Sequence, residues 1–273
     1  MYYTIDQVNS PGQWEFAFLE TRLSDHIFTI TLNRPEKRNA MNPLFMNEIA
    51  FALAHAHFHV DVRVVVLEAK GSIFCAGADL NAFAGNGETI FSSVPEPSEP
   101  VKLGDAFAKL FKPCIAKVHA PVYAGGFLLL GGCSHVIASE VAVFGLPEVK
   151  RGIWPFQVMA SLMPLVPARV LLDWCMRARV LNAGEAKEAG IISEIVAAEK
   201  LEDTVDALAK ELASAAPLAI QRGLQAFYEL KNRDQSTHHG FLYEQLQSLL
   251  KTEDAAEGLL AFTEKRAPVW KGK

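Results

Sequence analysis

The sequence predicts an α/β protein built around buried parallel strands. An unbroken β-branched run at Arg63–Leu67 is typical of a central parallel strand with both faces covered. A second strand-like run, Ile115–Val118, is followed by the glycine pair Gly125–Gly126 and then by an apolar segment of helical character. From Pro155 onward, the periodicity of apolar residues favours helices.

Length and composition allow a large hydrophobic core and exclude some classes of function. The chain has 273 residues, and half of them are hydrophobic, which suits one large domain or a domain with a smaller appendage. A formal net charge of −5 argues against a general binder of nucleic acids or of anionic membranes, since both need a basic surface. We therefore expect no nucleic-acid partner and no membrane partner.

The cysteines, the histidines and the N-terminus indicate a cytoplasmic protein without a metal. Four cysteines are widely spaced with no CxxC pair, so free thiols in a reducing compartment are predicted. His55 and His59 share a helix face, but without nearby carboxylates we favour packed or surface histidines over a metal site. The first residues lack the pattern of a signal peptide, and no apolar run reaches membrane-spanning length.

Two turns of small residues follow the two predicted central strands. One is Phe74–Leu80, after Arg63–Leu67, and the other is Gly125–Gly126, after Ile115–Val118. The carboxyl ends of strands are where open α/β sheets bind ligands. Backbone N–H groups of Ala78 and Gly125, if they converge on one oxygen, would form an oxyanion hole. The alternative for the glycine pair alone is a tight turn that allows close helix packing.

Glu148 is the candidate acid and base, about twenty residues after the glycine pair. It follows Pro147 and has apolar neighbours, so burial is expected to raise its pKa towards neutrality. A carboxyl group with such a pKa can both remove and return a proton. The alternative is that its carboxylate caps the turn that follows.

The remaining elements follow from caps, periodicity and turn signals. Asn42 and Pro43 predict the start of a helix that ends near Phe58. Prolines and glycines between Leu80 and Val101 predict a mobile loop over the site, with Phe83 as a candidate pocket wall. Other predicted strands are His26–Leu32 and His135–Ala138, and other predicted helices are Lys102–Phe111, Gln157–Val166, Ala168–Arg177, Gly184–Ala189, Leu201–Ala215, Leu218–Leu230 and His239–Lys251.

Four segments, taken in order, resemble the enoyl-CoA hydratase/isomerase (crotonase) family. They are Leu32–Asn42 (LNRPEKRNAMN), Phe74–Leu80, the stretch from Ala120 through Gly125–Gly126, and Phe144–Glu148 (FGLPE). The resemblance extends from about Leu23 to the C-terminus. It implies a spiral of repeated ββα units over residues 1–198, with an N-terminal extension at 1–22, and a C-terminal helical region at 199–273 for CoA contact and oligomerisation.

The resemblance also implies a reaction and the residues that perform it. Family members stabilise the enolate of an acyl-CoA thioester with N–H groups at the positions of Ala78 and Gly125, and a glutamate at the position of Glu148 moves the proton. CoA is part of the substrate, no separate cofactor is expected, and a homotrimer or dimer of trimers is implied. Substrate or CoA contacts are expected at Lys37, Arg38, Ala40, Ala76, Gly77, Asp79, Leu80, Phe83, Gly126, Leu128, Trp154, Phe262 and Lys265. For Lys37, Arg38 and Lys265, simple solvation is the alternative.

One departure from the family pattern bears on the reaction. Hydratases of the family carry a second glutamate three residues after the oxyanion glycine, and Leu128 stands there in this chain. Leucine cannot hold or activate water, so one base favours isomerisation of a double bond over hydration. A carboxylate from the loop around Glu88 would restore hydration, and a non-catalytic acyl-CoA-binding protein is the other alternative. Trp154 and Phe156 stand where small residues are common and predict a pocket of altered shape.

Overall fold

The computed structural model describes residues 1–9, 14–86 and 90–273. Its strands are β1 (Leu19–Ser24), β2 (Ile27–Leu32), β3 (Val64–Ala69), β4 (Cys114–Val118), β5 (Val122–Tyr123), β6 (His135–Ser139), β7 (Val143–Gly145), β8 (Val180–Asn182) and β9 (Glu194–Val196). Its α-helices are α1 (Ile5–Val8), α2 (Pro43–Phe58), α3 (Leu80–Phe83), α4 (Leu103–Phe107), α5 (Phe127–Leu130), α6 (Phe156–Leu162), α7 (Ala168–Arg177), α8 (Ala183–Glu188), α9 (Leu201–Ser214), α10 (Pro217–Leu230), α11 (His238–Leu249) and α12 (Glu253–Glu264).

The strands form one larger and one smaller sheet. The larger has the order β1-β2-β3-β4-β6-β9, in which β1 is antiparallel to β2 and every other neighbouring pair is parallel. The smaller has the order β5-β7-β8. The α/β prediction is confirmed. Because β3 and β4 are adjacent and parallel, the turns that follow them emerge at the same edge of the larger sheet.

Strand β3 is covered on both faces, as its β-branched run predicted. Val65 and Leu67 belong to the main hydrophobic core, which also contains the buried side chains of α2. Val64 and Val66 face the other way and pack with Leu201 and other residues of α9. Successive side chains of a strand point to opposite faces, so burying both faces requires a continuous apolar run instead of an alternating one.

Helix α2 begins and ends where its sequence predicted. The side chain of Asn42 accepts a hydrogen bond from the N–H of Phe45 at 2.8 Å, and Pro43 occupies the first helical position. Most of the helix is buried, including Phe45, Ile49 and Phe51. A helix buried on nearly all sides does not need a polar face, which explains why its sequence is mostly apolar.

The N-terminal residues, predicted as an extension at 1–22, contribute a strand and buried side chains to the main domain. Strand β1 begins inside the predicted extension and pairs with β2 over its whole length, and Tyr3, Val8 and Phe18 are buried. Sequence reasoning missed this strand because its side chains after Leu19 are exposed and, apart from Leu23, polar. As an edge strand, β1 needs only one covered face.

The segment between Leu80 and Val101 differs in part from the predicted loop. It begins with helix α3, which Asp79 caps by accepting a hydrogen bond from the N–H of Ala82 at 3.3 Å. Further on, the Ser92 hydroxyl donates to the buried carboxylate of Glu48 at 2.7 Å. The predicted helix Lys102–Phe111 is shorter than expected, since α4 ends at Phe107.

The C-terminal third is helical, as predicted. Helix α8 begins with a capping box between Asn182 and Glu185. Helices α10, α11 and α12 leave several large apolar side chains exposed, namely Phe227, Leu242, Tyr243, Leu246, Leu259, Leu260 and Phe262, and Leu250 directly after α11 is exposed too. Across the described ranges, no helix combines the length and the apolar character needed to cross a membrane.

Candidate active site

The two small-residue turns meet at the edge of the larger sheet. The N–H of Tyr123 donates to the carbonyl of Cys75 at 2.9 Å, and Cys75 bridges to Val122. Gly77 lies in this contact with φ +94, and a Cβ there would stand 2.6 Å from the Cβ of Ala124 and 2.9 Å from the nitrogen of Gly125. Only glycine fits this position, because both its backbone conformation and its surroundings exclude a side chain.

Two backbone N–H groups are left available where the turns meet. Met41 bridges to Ala78 through its own N–H to the Gly77 carbonyl, at 2.7 Å, and through the Asp79 N–H to the Met41 carbonyl, at 2.9 Å. This bridge does not use the N–H of Ala78. Gly125 is the second residue of a 3-10 turn, Ala124–Gly126, so its N–H has no acceptor inside that turn.

Gly125 and Ala78 lie next to each other where the turns meet. A Cβ on Gly125 would lie 3.4 Å from the Ala78 nitrogen. Gly126 has a different role, because its Cβ would stand 2.9 Å from Cγ1 of Val122 and 3.1 Å from the Cys75 carbonyl oxygen. The N–H of Gly125 thus stays a candidate donor, and Gly126 permits the close packing that was the alternative interpretation of the pair.

A cavity of about 530 Å³ opens beside these donors. Its wall is mostly apolar, which suits a ligand held by a few polar contacts. It contains the predicted residues Ala76, Ala78, Leu80, Phe83, Gly125, Leu128, Glu148 and Trp154. It also contains Phe156, which was expected with Trp154 to alter the pocket's shape, and residues that sequence reasoning did not single out for the site, namely Met41, Met46, Val101, Lys102, Leu103, Ala124, Arg151, Ile153, Pro155, Gln157 and Val158.

Glu148 provides the acidic side chain of the cavity wall. It begins a 3-10 turn, Glu148–Arg151, and is only 6% exposed. Burial raises the pKa of its carboxyl group above the ordinary value, while the charge of Arg151 acts in the opposite direction. Its Oε2 atom is buried and has no hydrogen-bond partner among the described residues. A buried carboxylate oxygen without a protein partner, at the wall of a cavity, is a candidate for contact with a reacting group.

Leu128 lies in the same cavity wall as Glu148. It is half-buried and packs against the main core. Its hydrocarbon side chain offers no oxygen or nitrogen for a water molecule. Glu88, the alternative source of a second carboxylate, lies outside the described residues.

Arg34 is buried, although it belongs with Lys37 and Arg38 to the charged loop 33–39. It is 2% exposed, and its Nη1 donates to Oδ2 of Asp79 at 2.8 Å and to the Ala40 carbonyl at 2.7 Å. Its guanidinium also lies 4.9 Å from the centre of the Phe18 ring. These contacts join the loop after β2 to the turn that contains Ala78. The sequence places Arg34, Lys37 and Arg38 close together, but it does not show that the Arg34 side chain points inward.

Asp79 therefore supports the oxyanion turn and does not line the cavity. Burial acts to raise the pKa of its carboxyl group, but hydrogen bonds from Arg34 and from the Ala82 N–H outweigh this effect and lower it. The carboxylate thus stays ionised and holds both Arg34 and the first turn of α3.

Several predicted CoA contacts lie outside the cavity wall. Lys37 and Arg38 are exposed, and Ala40 is half-buried. Arg38 lines a neighbouring cleft of about 330 Å³ that shares Ala76 and Arg151 with the cavity. Phe262, at 86% exposed, and Lys265 lie at the end of α12. They are on the surface of this chain and do not line the cavity.

The histidines singled out in α2 make packing and backbone contacts. Nδ1 of His55 lies 3.2 Å from the Val8 carbonyl, and the rings of His55 and His59 are 5.0 Å apart. Among residues 1–9, 14–86 and 90–273, no group of three or more histidine, cysteine, aspartate or glutamate side chains is placed to hold a metal ion.

Comparison with known proteins agrees with this geometry. The family model described as enoyl-CoA hydratase/isomerase matches residues 22–273. The chain is 32% identical over 254 residues to (E)-benzylidenesuccinyl-CoA hydratase of Thauera aromatica, covering 92% of this chain and 97% of that protein. It is 34% identical over 259 residues to carnitinyl-CoA dehydratase of Salmonella typhi, covering 90% and 95% respectively.

Solved structures share the whole fold. A probable enoyl-CoA hydratase/isomerase from Mycobacterium abscessus superposes with a TM-score of 0.85 at 30% identity, covering 95% of this chain and all of that one. An enoyl-CoA hydratase from Mycobacterium tuberculosis gives a TM-score of 0.82 at 28% identity, covering 93% and 99%. With the family model matching nearly the whole chain, this protein belongs to the enoyl-CoA hydratase/isomerase (crotonase) family.

Proposed function

We propose that this protein transfers protons at an acyl-CoA thioester, with Glu148 as its single acid and base. The observation that carries the proposal is one cavity that joins a pair of unused backbone N–H groups to one buried carboxyl group. The thioester oxygen accepts hydrogen bonds from Ala78 and Gly125, which stabilise the negative charge of an enolate. One such donor contributes about 10²–10³ in rate, and a positioned base about 10²–10⁴.

The preferred reaction is the shift of a double bond from the 3- to the 2-position. Glu148 removes a proton from C2, the electrons move to give the enolate, and the same carboxyl group returns the proton at C4. One base is enough for this sequence. Hydration needs a group that holds and activates water, and Leu128, in the same wall as Glu148, cannot do so.

A hydro-lyase is the second candidate, favoured by the names of the relatives. One is a benzylidenesuccinyl-CoA hydratase and another a carnitinyl-CoA dehydratase. In that case, another group of this chain would activate the water. A crotonase-like body that binds acyl-CoA without turnover is the third candidate, and the retained Glu148 and both oxyanion turns argue against it.

The test is a side-by-side assay of crotonyl-CoA hydration and 3-enoyl-CoA isomerisation. Wild type is expected to isomerise faster than it hydrates. Glu148→Gln is expected to lose activity while still binding CoA thioesters, and Leu128→Glu to gain hydration relative to isomerisation. Faster hydration by wild type would refute the single-base mechanism, as would full activity of Glu148→Gln. No turnover of any CoA thioester despite tight binding would support the non-catalytic candidate.

A further inference from the structure

The cavity wall contains two cations that proton transfer does not use. Its charged side chains are Glu148, Lys102 and Arg151, and its other polar groups are the Gln157 amide and the Trp154 indole N–H. The remaining side chains of the wall are apolar. A neutral acyl chain gains nothing from a charged side chain in the wall. The polar groups of an apolar pocket normally correspond to polar groups of its ligand.

Lys102 and Arg151 both lie where hydrogen bonds and neighbouring buried residues hold the main chain in place. Lys102 precedes α4, its N–H donates to the Tyr2 hydroxyl at 2.9 Å, and its carbonyl accepts from the first turn of α4. Its neighbours Val101 and Leu103 are buried, at 8% and 1% exposed. Arg151 ends the 3-10 turn that Glu148 begins. Neither side chain therefore extends from a freely moving loop.

Neither cation has an acidic partner within the described parts of the chain. The ion pairs there involve other cations, such as Arg34 with Asp79 and Lys117 with Glu202. Arg151 acts on Glu148 only at longer range, where its charge opposes the effect of burial on the pKa of that carboxyl group. A negative group beside Arg151 would neutralise this charge and leave Glu148 a better acid and base.

We propose that the acyl group of the preferred substrate carries a free carboxylate in addition to the thioester. Lys102 and Arg151 neutralise the charge of this carboxylate. The apolar body of the same acyl group packs against Phe83, Trp154 and Phe156 in the remaining wall. This inference rests on the proposed function, because it assumes that the thioester lies at Ala78 and Gly125 with its acyl group in the cavity.

The test measures binding of saturated thioesters, which contain no double bond to hydrate or isomerise. Glutaryl-CoA and pentanoyl-CoA differ only by a carboxylate in place of a methyl group, and adipyl-CoA with hexanoyl-CoA extends the comparison by one carbon. By titration calorimetry, wild type is expected to prefer the carboxylated member of at least one pair about tenfold or more. Because charge attraction is screened, this preference should fall as sodium chloride is raised.

Charge-removing variants identify the source of the preference. Lys102→Met and Arg151→Met are each expected to reduce it several-fold, and the double variant to abolish it while pentanoyl-CoA binding changes little. Lys150→Met is the matched control, since Lys150 is exposed, adjoins Arg151 and does not line the cavity. It should keep the full preference.

Three results separate the outcomes. Equal binding of both members of each pair by wild type would overturn the inference. Equal weakening of both members by Lys102→Met and Arg151→Met would overturn it too, since the cations would then serve the CoA portion. Failure of every CoA thioester to bind would refute the proposed function itself.

Discussion

Replacing Gly77 with alanine tests whether the contact between the two turns creates the oxyanion hole. The φ of +94 makes any side chain unfavourable there, at a cost of about 1–2 kcal/mol. The new Cβ would also collide with the Cβ of Ala124 at 2.6 Å and the nitrogen of Gly125 at 2.9 Å. Overpacking of this kind costs about 1–3 kcal/mol. The free energy of unfolding should therefore fall by about 2–5 kcal/mol.

The effect on activity should be larger than a loss of stability explains. The turns can relieve the collision only by moving apart, which separates the N–H groups of Ala78 and Gly125. Losing one donor costs about 10²–10³ in rate. We expect a drop of that size in kcat for CoA-thioester turnover, measured below the unfolding temperature, with thioester affinity reduced much less.

Gly85→Ala is the matched control. Gly85 has nearly the same φ, +88, but a Cβ there meets nothing within 4 Å. Urea unfolding should show only the conformational part of the cost, and kcat should stay near wild type. The double variant Gly77→Ala with Ala124→Gly removes the closest collision and should recover part of the lost rate. If Gly77→Ala and Gly85→Ala turned over substrate equally well, the proposed geometry of the donors would be refuted.

Three further outcomes are expected. Burial raises the pKa of Glu148 in the folded state, so folding favours the protonated form and wild type loses stability as pH rises through that pKa. Glu148→Gln cannot ionise and should resist urea better than wild type at pH 8, with the difference shrinking towards pH 4; a smaller difference at pH 8 than at pH 4 would contradict this. Free CoA and acyl-CoAs should raise the melting temperature, while NAD, ATP and divalent metals should not, because binding to the native state stabilises it by mass action; no shift with millimolar acyl-CoA would argue against a CoA site. The apolar side chains exposed on α10–α12 should be covered in a trimer or a dimer of trimers, so light scattering should give about three or six times the chain mass of 29.9 kDa, and a monomer mass at micromolar concentration would contradict this.

Local patterns in the sequence were enough to predict the longer elements. The β-branched run of β3, the Asn42 cap of α2 and the capping box of α8 each act through neighbouring residues, so their meaning is local. The short strands β5, β7, β8 and β9 were missed, because two or three residues carry too little periodicity to be recognised.

What the sequence by itself determined about the site is the set of chemical groups it supplies. The two turns were identifiable because main chains that approach closely need small residues. Glu148 was identifiable because it is a carboxylate among apolar neighbours in the sequence. The sequence alone also showed that position 128 is a leucine, so that no second carboxylate is expected there.

Only the tertiary structure decided which of these chemical groups lie together at the cavity. The contact of Gly77 with Gly125 joins residues 48 positions apart, and the burial of Arg34 depends on Phe18 and Asp79, which arrive from two other segments. Lys102 and Arg151 look like ordinary surface cations in the sequence, yet both line the cavity with Glu148. Burial and charge environment depend on neighbours that packing brings from distant parts of the chain, and no local pattern of residues contains them.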